Sequence, residues 1–164
     1  MTERISCVAL DYGSTLTSPG SPVDPILKMR RITPAAVWAV RDLHEAGMTL
    51  ILASNTKDGQ DRREALRRAG ILDCFSVTLQ SATLGVEKPN PRFYALVLAA
   101  AGVAPERVVS VGDRRDKDIF GPINHGMKAV LVQRSDFVDK TPLPPGVKTI
   151  PTISHLPDLL ETWR

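Results

Sequence analysis

An alternation constrains this chain more than anything else in it. Five short apolar runs of strand length alternate with stretches of helical periodicity or turn chemistry. "ISCVALDY" reads as a first buried strand over 5–12. "TPAAVWAVRDLHEAG" reads as a helix, with Thr33 as N-cap, Pro34 in the first turn and Gly47 just past the end. "MTLILAS" is a second strand closing at Ser54, and "DGQDRREALRRAG" is a second helix stopped by Gly70. "FSVTLQS" is a short third strand, followed by the helix "NPRFYALVLAAAG" with Asn90 capping and Pro91 in its first turn. "RVVSVGD" is a fourth strand, a short helix follows from about Lys117, and "KAVLVQR" is a fifth strand. A Pro-rich stretch from Thr141 to Pro151 leads into a last helix, "HLPDLLETWR".

Strands that alternate with helices predict a parallel sheet covered on both faces. The expected class is therefore α/β, a Rossmann-like three-layer sandwich around a central parallel sheet. At 164 residues the chain fits a single domain, 1–164, able to bury roughly 70% of its unfolded surface. The longest apolar run, "ALVLAAAGVA", is too short and too punctuated to span a membrane, and no signal-peptide pattern opens the chain. A cytoplasmic location is the resulting expectation. Cys7 and Cys74 both sit among apolar residues and read as reduced core thiols.

In an open α/β sheet, ligands bind beyond the carboxyl ends of the strands. The polar residues expected there are Asp11 after the first strand, Ser54 and Asn55 after the second, Lys88 after the third and Asp113 after the fourth. With Asp116 and Asp118, this rim gathers carboxylates that repel one another unless a cation joins them, and such oxygen donors suit Mg²⁺. Ser54 and Asn55 offer a hydroxyl and an amide to phosphate oxygens, and Lys88 can neutralise a carboxylate and a phosphate together. One carboxylate, one Mg²⁺, one Lys and one Ser suffice for phosphoryl transfer to an Asp, where catalysis is mostly positioning and charge neutralisation.

These segments, in this order, resemble the haloacid dehalogenase-like (HAD) hydrolase superfamily. "VALDYGSTLT", "LILASN", "GVEKPNPRFY" and "VVSVGDRRDKDIFGPINHGM" are similar to its four motifs, over a match from Ile5 to about Arg134. The resemblance implies that Asp11 is the nucleophile and a Mg²⁺ ligand. It implies that Ser54 binds the transferred phosphoryl group and that Lys88 steadies nucleophile and phosphate. Asp113 would bind the metal, and Asp118 would bind it or orient its waters. Gly13 stands two places after the nucleophile, where the family uses a backbone carbonyl on the metal, and Gly13 retains that carbonyl.

Gly13 does not retain a proton. Family phosphatases place a second Asp here, which protonates the leaving group and then activates water. Loss of a general acid/base costs on the order of 10²–10⁴ in rate. An alkoxide needs the proton, whereas the carboxylate of an acyl phosphate hardly does. The dehalogenase branch carries a Tyr at this place, and here Tyr12 falls one position early. Asp116 and Lys117 in the fourth motif, or Asp24 in the segment 18–31, are the conceivable replacement acids.

Neither the Asp11–Ser54 nor the Ser54–Lys88 interval has room for a cap domain, so a capless member with an open site is expected. Such a site suits a macromolecular or carrier-bound phosphorylated substrate, or a lid from a second subunit. Arg62, Arg63, Arg67 and Arg68 form a basic cluster on the second helix, and Lys28, Arg30 and Arg31 another. With 5% aromatic residues and no stacking pattern, a solvated face is favoured over a nucleic-acid surface. His44, His125 and His155 have no partner at metal-ligand or triad spacing. A receiver domain uses similar Asp–Lys–Ser/Thr chemistry, but its Asp follows the third strand. Two readings remain: a Mg²⁺-dependent hydrolase forming an aspartyl-phosphate on Asp11, or a phospho-ligand-binding or scaffold protein that kept the pocket without useful turnover.

Overall fold

The computed structural model describes residues 4–134 and 139–163. The expected span 1–164 and the last residue of the expected final helix, Arg164, extend beyond them. In chain order, β1 (Cys7–Leu10) is followed by a small antiparallel ribbon of β2 (Val23–Asp24) and β3 (Met29–Arg30), then by α1 (Pro34–Glu45). Next come β4 (Thr49–Ser54), α2 (Arg62–Arg68), β5 (Val77–Gln80), the single turn α3 (Ser81–Leu84) and α4 (Pro91–Ala101). The second half holds β6 (Val108–Gly112), a π-type turn over Arg115–Phe120, α5 (Gly121–Asn124), β7 (Lys128–Val132), β8 (Lys148–Ile150) and α6 (Leu156–Thr162).

The main sheet has the order β5-β4-β1-β6-β7-β8, and every pair in it is parallel. Strand order reverses between β1 and β6, which places Asp11 and Asp113 on either side of the switch point, where α/β folds bind their ligands. Central strands need apolar side chains on both faces, and alternate residues here serve the two layers. Val8, Leu10, Leu50, Leu52, Val109 and Val111 pack with α1 (Ala36, Ala39, Val40, Leu43), Leu66 of α2, and Leu156 and Leu160 of α6. Cys7, Ala9, Ile51 and Ala53 meet Phe93, Tyr94 and Val97 of α4 on the other face. Each fully buried Leu, Ile, Val or Phe contributes about 1.5–3 kcal/mol relative to exposure.

Helix boundaries follow the expected chemistry. Thr33 accepts a hydrogen bond from the Ala36 N–H at 3.1 Å, and Asn90 from the Arg92 N–H at 3.0 Å. Helix α2 starts later than the pattern predicts, at Arg62, because Asp61 caps it through the Arg63 N–H. Cys7 is buried and Cys74 half-buried, both as free thiols. Burial pushes the Cys7 thiol up to about 11, which suits a core side chain. Three elements went unread in the sequence: the β2–β3 ribbon, α3, and β8, which lies in the expected Pro-rich connection. No helix among the described residues is long and apolar enough to cross a membrane.

Candidate active site

Asp11 is the first residue beyond β1, and its N–H still continues the ladder to the Val111 carbonyl at 3.0 Å. The chain then closes tightly. The Tyr12 carbonyl accepts from the N–H groups of Thr15, Leu16 and Thr17, and Ser14 takes a left-handed φ of 56°. Tyr12 turns into the core and donates its hydroxyl to the Arg30 carbonyl at 2.6 Å, tying the Asp11 loop to the ribbon. Burial, moderated by the Arg62 charge, pushes that phenol up to about 12. Gly13 faces outward, with no atom within 4 Å of where a Cβ would stand.

Asp11, Asp113 and Asp118 each offer a carboxylate oxygen within 4.8 Å of the others. All three carboxyls are raised above the ordinary range. Burial is the largest cause for Asp11, opposed by Lys88 and reinforced by Asp113. Burial and Asp118 raise Asp113, while burial and Asp11 push Asp118 up to about 6 against the pull of Lys88. Carboxylates so placed call for a cation, and an all-oxygen set of this kind fits Mg²⁺. Asp118 comes inward from the π-type turn, anchored by Ser110 Oγ donating to its carbonyl at 2.8 Å and by the Arg114 N–H donating to its Oδ2 at 3.0 Å. Gly112 permits this approach, since a Cβ there would collide with the Asp118 carboxylate.

Lys88 reaches the cluster from the loop before α4 and is 4% exposed. Its Nζ donates to Asp118 Oδ1 at 2.8 Å, Asp11 Oδ1 at 3.3 Å and the Ala53 carbonyl at 2.7 Å. Burial disfavours the ammonium, but the two carboxylates prevail and hold its pKa well above the usual lysine value. The void between Lys88 and Phe93, Tyr94 and Met127 is only about 10 Å³, and neither Asp113 nor Ser54 lines it, so it is a packing gap beside the cluster and not a ligand site.

The sequence-based candidates take different places. Ser54 ends β4 with its hydroxyl donating to the Asn55 carbonyl at 3.3 Å. Asn55 spends its side chain on Lys88: Nδ2 donates to the Lys88 carbonyl and Oδ1 accepts from the Lys88 N–H, both at 2.9 Å. That geometry makes its amide a clamp on the lysine loop, where a phosphate contact was expected. Asp24 is likewise committed elsewhere. Its Oδ1 caps the Ile26 and Leu27 N–H groups, its Oδ2 lies 3.4 Å from Arg31 and 3.7 Å from Arg68, and its carboxyl is lowered by the Leu27 and Ile26 hydrogen bonds above all. A carboxyl held ionised in this way is a poor proton donor.

Arg62 was misread from the sequence as one more member of a solvated basic face. Arg67 and Arg68 do lie on such a face, bridged to Glu64 at 2.6 and 3.1 Å. Arg62 turns the other way, placing its Nε 3.3 Å from Ser54 Oγ and its guanidinium carbon 4.3 Å from the Tyr12 ring centroid. Its position at the very start of α2, behind the Asp61 cap, was the signal that could have separated it from the others.

A groove of about 810 Å³ begins at Asp113 and runs over the carboxyl ends of β7 and β8, between Ser14, Ser18, Arg114, Arg115 and Ile153. Neither Asp11, Ser54 nor Lys88 lines it, so it lies beside the carboxylate cluster and does not contain it. Arg115 forms one wall, held by Asp139 at 3.1 Å.

The profile of the haloacid dehalogenase-like hydrolases matches residues 23–126, which leaves the Asp11 loop outside the matched region. A phosphoserine phosphatase of Thermus thermophilus is 39% identical over 102 residues, 62% of this chain and 40% of that protein. A glyceraldehyde 3-phosphate phosphatase of Methanopyrus kandleri is 43% identical over 79 residues, 48% of this chain and 34% of that one. The chain thus spans less than half the length of either enzyme. A crystal structure of an uncharacterized protein from Listeria monocytogenes serotype 4b superimposes with a TM-score of 0.79 at 24% identity, covering 96% of this chain and 99% of that one. That likeness concerns the fold alone.

Proposed function

The chain belongs to the haloacid dehalogenase-like hydrolases, and from that premise we propose that it is a Mg²⁺-dependent hydrolase that forms an aspartyl-phosphate on Asp11. The observation that carries this reading is Lys88, buried and bridging Asp11 to Asp118 beside Asp113 at the switch point of the sheet. A scaffold protein has no need to bury one lysine between two carboxylates and crowd a third beside them.

Asp11, Asp113 and Asp118, with the Gly13 carbonyl, would hold the metal. Bound there, Mg²⁺ would offset the repulsion among the carboxylates and draw charge from the phosphoryl oxygens. Lys88 opposes the rise that burial imposes on the Asp11 carboxyl and so favours the carboxylate whose oxygen attacks phosphorus. As the new O–P bond forms, the bond to the leaving oxygen breaks and that oxygen departs with its electron pair. Ser54 donates its hydroxyl to an equatorial oxygen of the transferring group. Water then cleaves the acyl phosphate, returning the Asp11 carboxylate and releasing phosphate.

Gly13 neither gives the leaving oxygen a proton in the first half-reaction nor takes one from the attacking water in the second, so that water's proton passes to the phosphate or to solvent. The natural substrate class is accordingly one whose leaving group departs as a stable anion, above all acyl phosphates. Residues 11–54 and 54–88 are filled by the ribbon, α1 and α2, which supports a capless core. The groove beginning at Asp113 offers the organic part of the substrate a seat next to the chemistry.

The test is phosphate release from acetyl phosphate with and without Mg²⁺, using Asp11→Asn as the blank. Metal-dependent release that disappears in the variant supports the enzyme. Wild-type release no greater than the blank, in a protein that still binds Mg²⁺ and phosphate, would establish the binding-protein reading instead.

A further inference from the structure

We propose that Arg62 is the cation that binds the phosphoryl group in this site, sharing its equatorial oxygens with Ser54. The inference rests on the reading of Asp11 and Ser54 above and adds a substrate-binding residue to it. A phosphoryl group arrives with up to two negative charges, and in phosphoryl transfer charge remains spread over the equatorial oxygens. Lys88 is the obvious cation to meet it, but an ammonium has three N–H donors. All three are spent, on Asp11, Asp118 and the Ala53 carbonyl.

Arg62 is placed and free to do what Lys88 cannot. The side chain is half-buried, yet among the described residues it makes no ion pair with a carboxylate. Its Nε points at Ser54 Oγ from 3.3 Å, its Nη1 rests 3.4 Å from the Met29 sulfur, and the remaining N–H groups of the fork have no protein acceptor among the described residues. Desolvation of an unpaired guanidinium is unfavourable, and a bound phosphate would offset it through two parallel hydrogen bonds.

The position is fixed before any ligand arrives. The Arg62 N–H donates to Gln80 Oε1 at 2.7 Å, tying the start of α2 to the end of β5. Tyr12, anchored through Arg30, gives the guanidinium a flat platform. Arg62 therefore joins the nucleophile loop, the ribbon and the phosphate-binding serine in one cluster. Tyr12, whose place in the sequence is wrong for a catalytic phenol, acquires a role as the arginine's support.

The experiment compares wild type with Arg62→Lys and Arg62→Ala by two readouts, each with a thermal melt. Titration with inorganic phosphate in the presence of Mg²⁺ needs no turnover, and we expect Arg62→Ala to bind it at least tenfold more weakly. With acetyl phosphate, Arg62→Ala should lose about 10²-fold in kcat/KM. Arg62→Lys should keep part of that, and millimolar guanidinium ion should restore activity to Arg62→Ala while leaving wild type unimproved. Phosphate affinity within threefold of wild type in a folded Arg62→Ala protein would overturn the proposal. So would a loss of activity that tracks a lowered Tm and resists guanidinium rescue. Absence of wild-type turnover would strike the hydrolase reading, while the phosphate titration would still decide the fate of Arg62.

Discussion

Lys88 Nζ lies 2.8 Å from Asp118 Oδ1 and 3.3 Å from Asp11 Oδ1, and the lysine and Asp118 are both buried. Removing one partner of such a group leaves the others charged and unpaired, at a cost of about 3–5 kcal/mol. Lys88→Met should therefore lower the Tm substantially, by roughly 2–4 °C for each kcal/mol in a chain of this size. Mg²⁺ should recover part of the loss, because it answers the same carboxylates. Thermal melts with EDTA and with Mg²⁺ check this, and equal melting of variant and wild type in EDTA would contradict it.

The raised carboxyl of Asp118 makes the metal-free protein sensitive to pH. Its value in the fold, about 6, stands above the ordinary 3.8 because of burial first and the Asp11 charge second. A folded state that binds the proton more tightly than the unfolded one is favoured by Asp118 most at low pH. That contribution is complete below about pH 4 and lost as pH rises through about 6. Asp118→Asn removes the titration, so the Tm of the variant should rise relative to that of wild type in EDTA as pH goes from 4 to 7, whatever offset the loss of the Lys88 contact adds at every pH. Mg²⁺ competes with the same protons, and its affinity for wild type should fall as pH drops through 6. A difference that stays flat over this range would refute the assignment.

Much of this was legible before the structure. Alternating apolar runs and capped helices predicted the parallel sheet, since Thr33, Asn90 and the glycines after each helix act locally. Asp11, Ser54, Lys88 and Asp113 were placed at the carboxyl ends of strands by that pattern alone, and the structure brings Asp11, Lys88, Asp113 and Asp118 together. What stayed hidden depends on contacts across long sequence distances. Asn55 looks like a phosphate ligand until its amide is seen to grip the Lys88 peptide, 33 residues away. Arg62 looks like its neighbours Arg63 and Arg67 until the start of α2 turns it toward Ser54. β8 escaped notice because it is three residues long and its place is set by pairing with β7.

The clamp formed by Asn55 gives a prediction distinct from phosphate binding. Asn55→Ala deletes two hydrogen bonds to a buried peptide, for a loss of about 1–3 kcal/mol. The lysine loop should loosen, and kcat should fall more than the affinity for inorganic phosphate does. If instead phosphate affinity falls in step with kcat, the amide touches the ligand and the original expectation for Asn55 is restored.

Gly112 tests how closely the fourth motif is packed. Alanine at this position would place a methyl group on the Asp118 carboxylate, at the carboxyl end of β6, and overpacking of this kind costs about 1–3 kcal/mol. The nearest relief is for Asp118 to withdraw, which breaks its contact with Lys88 and removes one corner of the carboxylate cluster. Gly112→Ala should thus weaken Mg²⁺ binding by far more than it lowers the Tm in EDTA. Isothermal titration with Mg²⁺ measures the first quantity, and unchanged metal affinity would show that Asp118 is not needed for the site.

The proposed absence of an acid at position 13 can be tested by supplying one. Nothing lies within 4 Å of a Cβ at Gly13, and its φ is outside the left-handed region, so an L side chain fits the loop as it stands. A carboxyl introduced there by Gly13→Asp would face outward beside Asp11, where an alkoxide leaving group needs a proton. Turnover of simple alkyl phosphates should rise by about 10²–10⁴. Release from acetyl phosphate should change much less, because a carboxylate leaves without protonation. The contrast between the two substrates is the measurement, since a general gain or loss in activity would move both together. A folded variant whose alkyl phosphate turnover stays at the wild-type level would show that Gly13 does not mark the proton-transfer position, and that a group elsewhere in the open site must serve it.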